Sequence, residues 1–103
     1  MLSQNTLGNV RKAKVLVTNP THYAVALDYE KDRTPLPIIL AKGEGFLAQR
    51  MMQVAREEGI PIMRNVPLAR SLFESGTENA YIPKDLIGPV AEVLRWVQSL
   101  QLN

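Results

Sequence analysis

Only four residues, Asn19-Pro20-Thr21-His22, separate two apolar, β-branched runs, Lys14 to Thr18 and Tyr23 to Tyr29. A connection this short cannot carry the crossover that two parallel strands need, so the runs are predicted to pair as antiparallel neighbours across a tight turn. Proline agrees with that placement. It sets its own φ and keeps the preceding residue out of the helical region, which holds Asn19 extended where the turn begins.

The same four residues carry a chemical option. An asparagine ordinarily ages when the next backbone N–H attacks its side-chain carbonyl, and proline, having no N–H, closes that route. What remains is attack by the Asn19 carboxamide nitrogen on its own backbone carbonyl. That step closes a five-membered succinimide, expels the nitrogen of Pro20 and cuts the chain. Because it is intramolecular, a well-oriented loop gains much of the roughly 7–11 kcal/mol that proximity can supply. The departing amine needs a proton, and His22, the only histidine in the chain, is of the residue type that relays protons near neutral pH. On composition alone a plainer reading stands beside this one: Asn-Pro is a turn former, and a lone histidine after a turn is more often structural. Asn19-Pro20-Thr21 also outlines a glycosylation acceptor, which proline in the middle position rules out.

At 103 residues and 46% hydrophobic, the chain is the size of one compact domain. A formal charge of +2, from twelve basic residues interspersed with ten acidic ones, argues against nucleic acid as a partner. The local basic cluster Arg11, Lys12 and Lys14 suits a solvated approach to the first strand or a segment near the cytoplasmic face of a membrane. With no cysteine and one histidine, disulfides, thiolate sites and a metal centre have no ligand set, and no cofactor is expected.

Residues 1–12 are polar and without a clear period, and read as a linker or frayed helix, so the domain is expected to begin near Ala13. A loop with two prolines covers Glu30 to Pro37, and a third strand is expected over Ile38 to Ala41. Helical spacing then runs from Gly45 to Glu58, with Leu47, Met51, Val54 and Ala55 on one face and Gly59 as the stop. A fourth strand is expected over Ile60 to Val66, restricted by Pro61 to an edge or terminal position there. Pro67 suits the first position of a short helix ending at Ser75, and Pro89 the first turn of a last helix. Along that helix Val90, Val93, Leu94, Val97 and Leu100 form the core stripe, with Trp96 offset. The sum is one α/β domain: a small mixed four-stranded sheet packed with three to four helices.

Several segments together carry a family likeness. The run Val17-Thr18-Asn19-Pro20-Thr21-His22-Tyr23-Ala24-Val25-Ala26-Leu27, with Thr34-Pro35-Leu36-Pro37, Gly59-Ile60-Pro61-Ile62, Val66-Pro67-Leu68-Ala69-Arg70-Ser71-Leu72-Phe73 and Ala91-Glu92-Val93-Leu94-Arg95-Trp96-Val97, resembles the cytoplasmic domain of the FlhB/YscU family. These are the substrate-specificity switch proteins of flagellar and virulence-associated type III secretion. The likeness covers nearly the whole chain from Lys14 onward. It implies an inner-membrane protein whose transmembrane amino-terminal region is absent here, with 1–12 as the linker from it, Met1 as a start supplied at the cut, and 13–103 as the domain on the cytoplasmic side.

The resemblance further implies autocleavage between Asn19 and Pro20, with Asn19 as the cyclising residue, Pro20 as the new amino terminus, and Thr21 and His22 as assisting neighbours. The pieces stay associated, and the processed loop permits the switch from early to late export substrates. Implied partners are export substrates, the ruler protein that measures hook or needle length, and other export-gate membrane proteins. Asn19 to Leu27 reads equally well as flagellar, whereas Thr34-Pro35-Leu36-Pro37 and Leu94-Arg95-Trp96 lean toward the injectisome branch. Such a cut is a single-turnover event and not enzymatic turnover. The alternatives are an interaction module of the same apparatus whose cleavage is incidental, and a small hydrolase using His22 with Thr21 or Ser71. The hydrolase lacks a nucleophile-elbow pattern.

Overall fold

In the computed structural model, which describes residues 2–101 and side chains from residue 5 onward, the chain is built around a strand paired on both edges. This strand, β1 (Val15–Asn19), runs antiparallel to β2 (Tyr23–Asp28) and parallel to β4 (Ile62–Arg64), and β3 (Ile38–Glu44) completes a sheet of order β3-β2-β1-β4. The register pairs Asn19 with Tyr23, so the strands reverse across Pro20, Thr21 and His22. Helices cover both faces: α1 (Leu2–Arg11) and α2 (Phe46–Glu58) on one, α3 (Val66–Ser75) and α4 (Ile87–Gln101) on the other, with a 3-10 turn over Lys84–Leu86 leading into α4.

The period-two alternation of the strands explains the two layers. Val15, Val17, Val25 and Leu27 face α3 and α4, joined by Leu68, Leu72, Val90 and Val93. Leu16, Ala24 and Ala26 face α2, whose Ala48, Met51, Val54 and Ala55 close that side. Small residues at Ala24, Ala26 and Ala41 leave room for α2 to lie close to the sheet. Between Ala26 and Leu27 the pairing with β3 shifts by one, from Ala41 to Ile39, leaving Leu40 unpaired as a bulge. The bulge puts Ile39 on the α3 side and Ala41 on the α2 side. The outer edge of β3 is covered by the segment before the 3-10 turn, through Ile39 N–H to Ala80 O at 2.9 Å and Asn79 N–H to Ile39 O at 2.7 Å.

Several boundaries differ from the sequence expectation, each for a local reason. β3 continues past Ala41 to Glu44, because its pairing with β2 extends to Tyr23. β4 is shorter than Ile60 to Val66: Pro61 cannot donate to a ladder, and Val66 already begins α3. Pro67 is the second residue of α3, and Asn65 is the cap, its Oδ1 accepting from the Leu68 N–H at 3.2 Å. Leu100 is exposed and not part of the core stripe, whereas Trp96 is half-buried against it. Over Leu2–Arg11 the expected lead-in is a helix in contact with the domain. Its Val10 is fully buried and its Asn9 Nδ2 donates to the bulged Leu40 carbonyl at 3.0 Å, so the packed unit starts before Ala13. Met1, Leu102 and Asn103 lie outside the described residues.

Two glycines in different surroundings test this packing. A Cβ at Gly76 would stand 2.5 Å from the Leu72 carbonyl oxygen and collide with Ile39 Cδ1, whereas at Gly8, inside α1, it meets nothing within 4 Å. Gly76→Ala is therefore expected to destabilise by about 1–3 kcal/mol, and Gly8→Ala to stabilise by about 0.5–1 kcal/mol. Urea midpoints of the two variants moving in the same direction would contradict the arrangement.

Candidate functional site

The four sequence-predicted site residues sit together at one end of the β1–β2 hairpin. Asn19 ends β1 half-buried, Pro20 is also half-buried, and Thr21 and His22 are exposed at the tip. The turn closes through the His22 N–H, which donates to the Asn19 backbone carbonyl oxygen at 2.9 Å. That oxygen belongs to the Asn19–Pro20 peptide bond. The hydrogen bond that makes the turn thus also draws electrons from the carbonyl that a nucleophile would attack.

The side chains add a second set of contacts. Thr21 Oγ1 donates to Asn19 Oδ1 at 3.1 Å and lies 2.8 Å from His22 Nδ1. Threonine has one hydroxyl hydrogen, so when it serves Oδ1 the His22 Nδ1 carries a proton and donates to Thr21. A chain His22–Thr21–Asn19 results. Drawing density onto Oδ1 makes the Asn19 Nδ2–H groups more acidic and fixes the plane of the carboxamide.

The loop is also held from outside. The Gly45 N–H donates to His22 O at 2.9 Å, and one helical turn later Gln49 Nε2 donates to Pro20 O at 2.6 Å. Gly45 takes φ 62° and ψ −128°, a region open to glycine and strained for other residues, and this aims the start of α2 at the hairpin. Beyond the turn, Tyr23 lies 5.9 Å from the His22 ring by centroids and stacks on Phe73 of α3 at 4.5 Å. Lys42 from β3 sits 5.0 Å over the Phe73 ring, and its Nζ donates to the Phe73 and Gly76 carbonyls at 2.9 and 2.7 Å. The Phe73 carbonyl lies in the last turn of α3, where a cation matches the negative end of the helix dipole. Aromatic stacking and a helix terminus thereby brace the residue that follows the turn.

Sequence reasoning found Asn19, Pro20, Thr21 and His22 but not Gly45, Gln49 or the Tyr23–Phe73–Lys42 stack. Gly45 read only as a helix start, and nothing local ties position 49 to position 20. Among the described residues no group of three or more His, Cys, Asp or Glu side chains could hold a metal ion. A separate groove of about 440 Å³ lies between the 29–37 loop and α4, away from the turn. Leu36, Pro37, Ala91 and Leu94 line it, with Lys31 and Arg95 also on its wall.

The tie to α2 can be tested at Gly45. Because a Cβ there meets no atom within 4 Å, Gly45→Ala adds backbone strain alone, on the order of 1–3 kcal/mol. In an uncut Asn19→Ala background the strain should loosen the Gly45 and His22 amides and speed their hydrogen exchange. Exchange equal to that of the parent would contradict the clamp.

The chain is similar in sequence and fold to several known proteins. The sequence model described as the FlhB HrpN YscU SpaS family matches residues 1–97. The flagellar biosynthetic protein FlhB of Yersinia enterocolitica is 45% identical over 101 residues, 98% of this chain and 26% of that protein. Yop proteins translocation protein U of Yersinia pestis is 41% identical over 96 residues, 93% of this chain and 27% of that protein. The chain spans about a quarter of the length of these curated relatives. Among solved structures, the cytoplasmic domain of FlhB from Shewanella putrefaciens superposes with a TM-score of 0.90 at 36% identity, covering 96% of this chain and 76% of that one. A variant of the EscU C-terminal domain gives 0.86 at 35% identity, covering 89% and 98%.

Proposed function

This chain belongs to the FlhB HrpN YscU SpaS family, and from that premise we propose that it is the cytoplasmic domain of a type III export protein that cuts itself between Asn19 and Pro20 and so controls the switch of export substrate specificity. The observation that carries the proposal is the double engagement of Asn19: its backbone carbonyl accepts from the His22 N–H, and its carboxamide accepts from Thr21. One turn polarises both the electrophile and the nucleophile.

The step balances within the chain. Asn19 Nδ2 bonds to the Asn19 carbonyl carbon, and the negative charge gathering on that oxygen meets the His22 N–H. The bond to Pro20 nitrogen then breaks, and the proton lost from Nδ2 goes to that nitrogen. Thr21 and His22 are the hydrogen-bonded pair in the turn able to hold the proton in transit. Water later opens the succinimide. Each chain reacts once, so the event is self-processing without turnover of an external substrate.

The cut leaves the fold's support in place. The amino-terminal piece keeps β1 between β2 and β4, with Val10, Val15, Leu16 and Val17 fully buried. Burial of four such side chains is worth roughly 6–12 kcal/mol as an upper bound. What changes is the hairpin tip. The proposed partners are export substrates, the ruler protein and other export-gate membrane proteins. The domain lies on the cytoplasmic side of the inner membrane. Among the described residues no helix is long and apolar enough to cross a membrane. Thr34-Pro35-Leu36-Pro37 and Leu94-Arg95-Trp96 incline the proposal toward an injectisome.

Denaturing mass spectrometry of the wild-type chain is expected to show a piece ending at Asn19 and a piece beginning at Pro20. The two should co-elute under native conditions and be absent from Asn19→Ala. Thr21→Val should slow cutting about tenfold, the rate equivalent of one hydrogen bond of about 1.4 kcal/mol. A wild-type chain that stays whole at neutral pH would sink the proposal. Normal switching in cells carrying only the uncut variant would favour the interaction-module alternative.

A further inference from the structure

We propose that Gln49 is a positioning residue for the Asn19–Pro20 scission, an inference that rests on the self-cleavage proposed above. Its Nε2 donates to the Pro20 carbonyl at 2.6 Å from a helix that is not part of the hairpin. The pyrrolidine ring already sets the φ of Pro20, so ψ is the torsion left free between the scissile bond and the Thr21 amide. Holding the Pro20 carbonyl fixes that torsion.

Both contacts on Asn19 lie downstream of it. The Thr21 hydroxyl on Asn19 Oδ1 and the His22 N–H on Asn19 O reach their partners only when the Pro20–Thr21 peptide plane is turned correctly. Gln49 therefore acts through Thr21 and His22 and touches none of the reacting atoms. The Gly45 N–H bond to His22 O ties the same first turn of α2 to the far end of the loop, so the donor approaches from a fixed direction. Gln49 itself is exposed, so losing its hydrogen bond should alter the loop's geometry far more than the stability of the fold.

The test uses this chain made in a cell-free system and sampled into denaturant over time, as wild type, Gln49→Met, Gln49→Glu and Gln49→Arg. All four residues are near-equal helix formers, so what differs for α2 is the charge near its amino-terminal end, which favours Glu and disfavours Arg. Gln49→Met keeps the length and loses the donor, and cutting should slow about three- to tenfold. Gln49→Glu sets a carboxylate against the carbonyl and should be slower still. Gln49→Arg restores a donor and should return to within about threefold of wild type. In an Asn19→Ala background the thermal midpoints should follow that charge, with Glu above Arg, the reverse of the cutting order for these two. Rates that ignore the donor, or that follow the thermal midpoints, would overturn the role of Gln49 while leaving self-cleavage intact. A wild-type chain that never cuts would overturn both.

Discussion

Everything at the candidate site depends on the hydrogen bond from the His22 N–H to the Asn19 carbonyl. It exists because β1 is an interior strand, paired on both edges and buried on both faces, with only three residues between its end and the start of its antiparallel partner. The chain has to reverse there, and reversal in so few residues brings a backbone donor onto the carbonyl that opens the turn. In most hairpins that bond only holds the turn. Here the carbonyl belongs to an asparagine, and the bond it sits in leads to a proline.

A surface loop would ordinarily sample many shapes, and proximity helps a reaction only when the reacting groups are held. This loop is held at three successive points: Asn19 O by His22, Pro20 O by Gln49 and His22 O by Gly45. Two of those ties come from the start of α2, which lies close to the sheet because the residues beneath it are small. On the other face Tyr23 rests on Phe73, and Lys42 secures the end of α3. Core packing on both sides of the sheet thus reaches the turn through short, identifiable contacts. The same packing would keep β1 in its place after the proposed cut, leaving only the tip altered.

The hairpin and the clustering of Asn19, Thr21 and His22 at its tip were legible because they are written in adjacent residues: a connection too short to cross over, a proline that restrains its neighbour, and a hydroxyl and an imidazole following at once. Elements with strong local signals were legible for the same reason, as with α2 between Gly45 and Gly59 and the apolar stripe Val90, Val93 and Val97. What escaped was set by distant partners. The run of β3 to Glu44 depends on its pairing with Tyr23, and the burial of Val10 on a surface that α2 supplies. Asn65 as a cap was hidden behind Pro67, which drew the helix start one residue too late. Gln49 shows no periodic or motif signal, and only the crossing of α2 over the hairpin brings it to Pro20.

The central claim is that Asn19 cuts its own peptide bond with its own side chain, which differs from simple hydrolysis at a strained turn. The chemistry leaves a mark on the short piece, so its carboxy-terminal residue is the thing to measure, by high-resolution mass spectrometry and peptide fragmentation soon after synthesis. Cyclisation predicts a terminal imide, one water lighter than the free acid, that gives way to a mixture of asparagine and isoasparagine ends. A short piece that carries only an ordinary asparagine carboxylate from its first appearance would contradict the account.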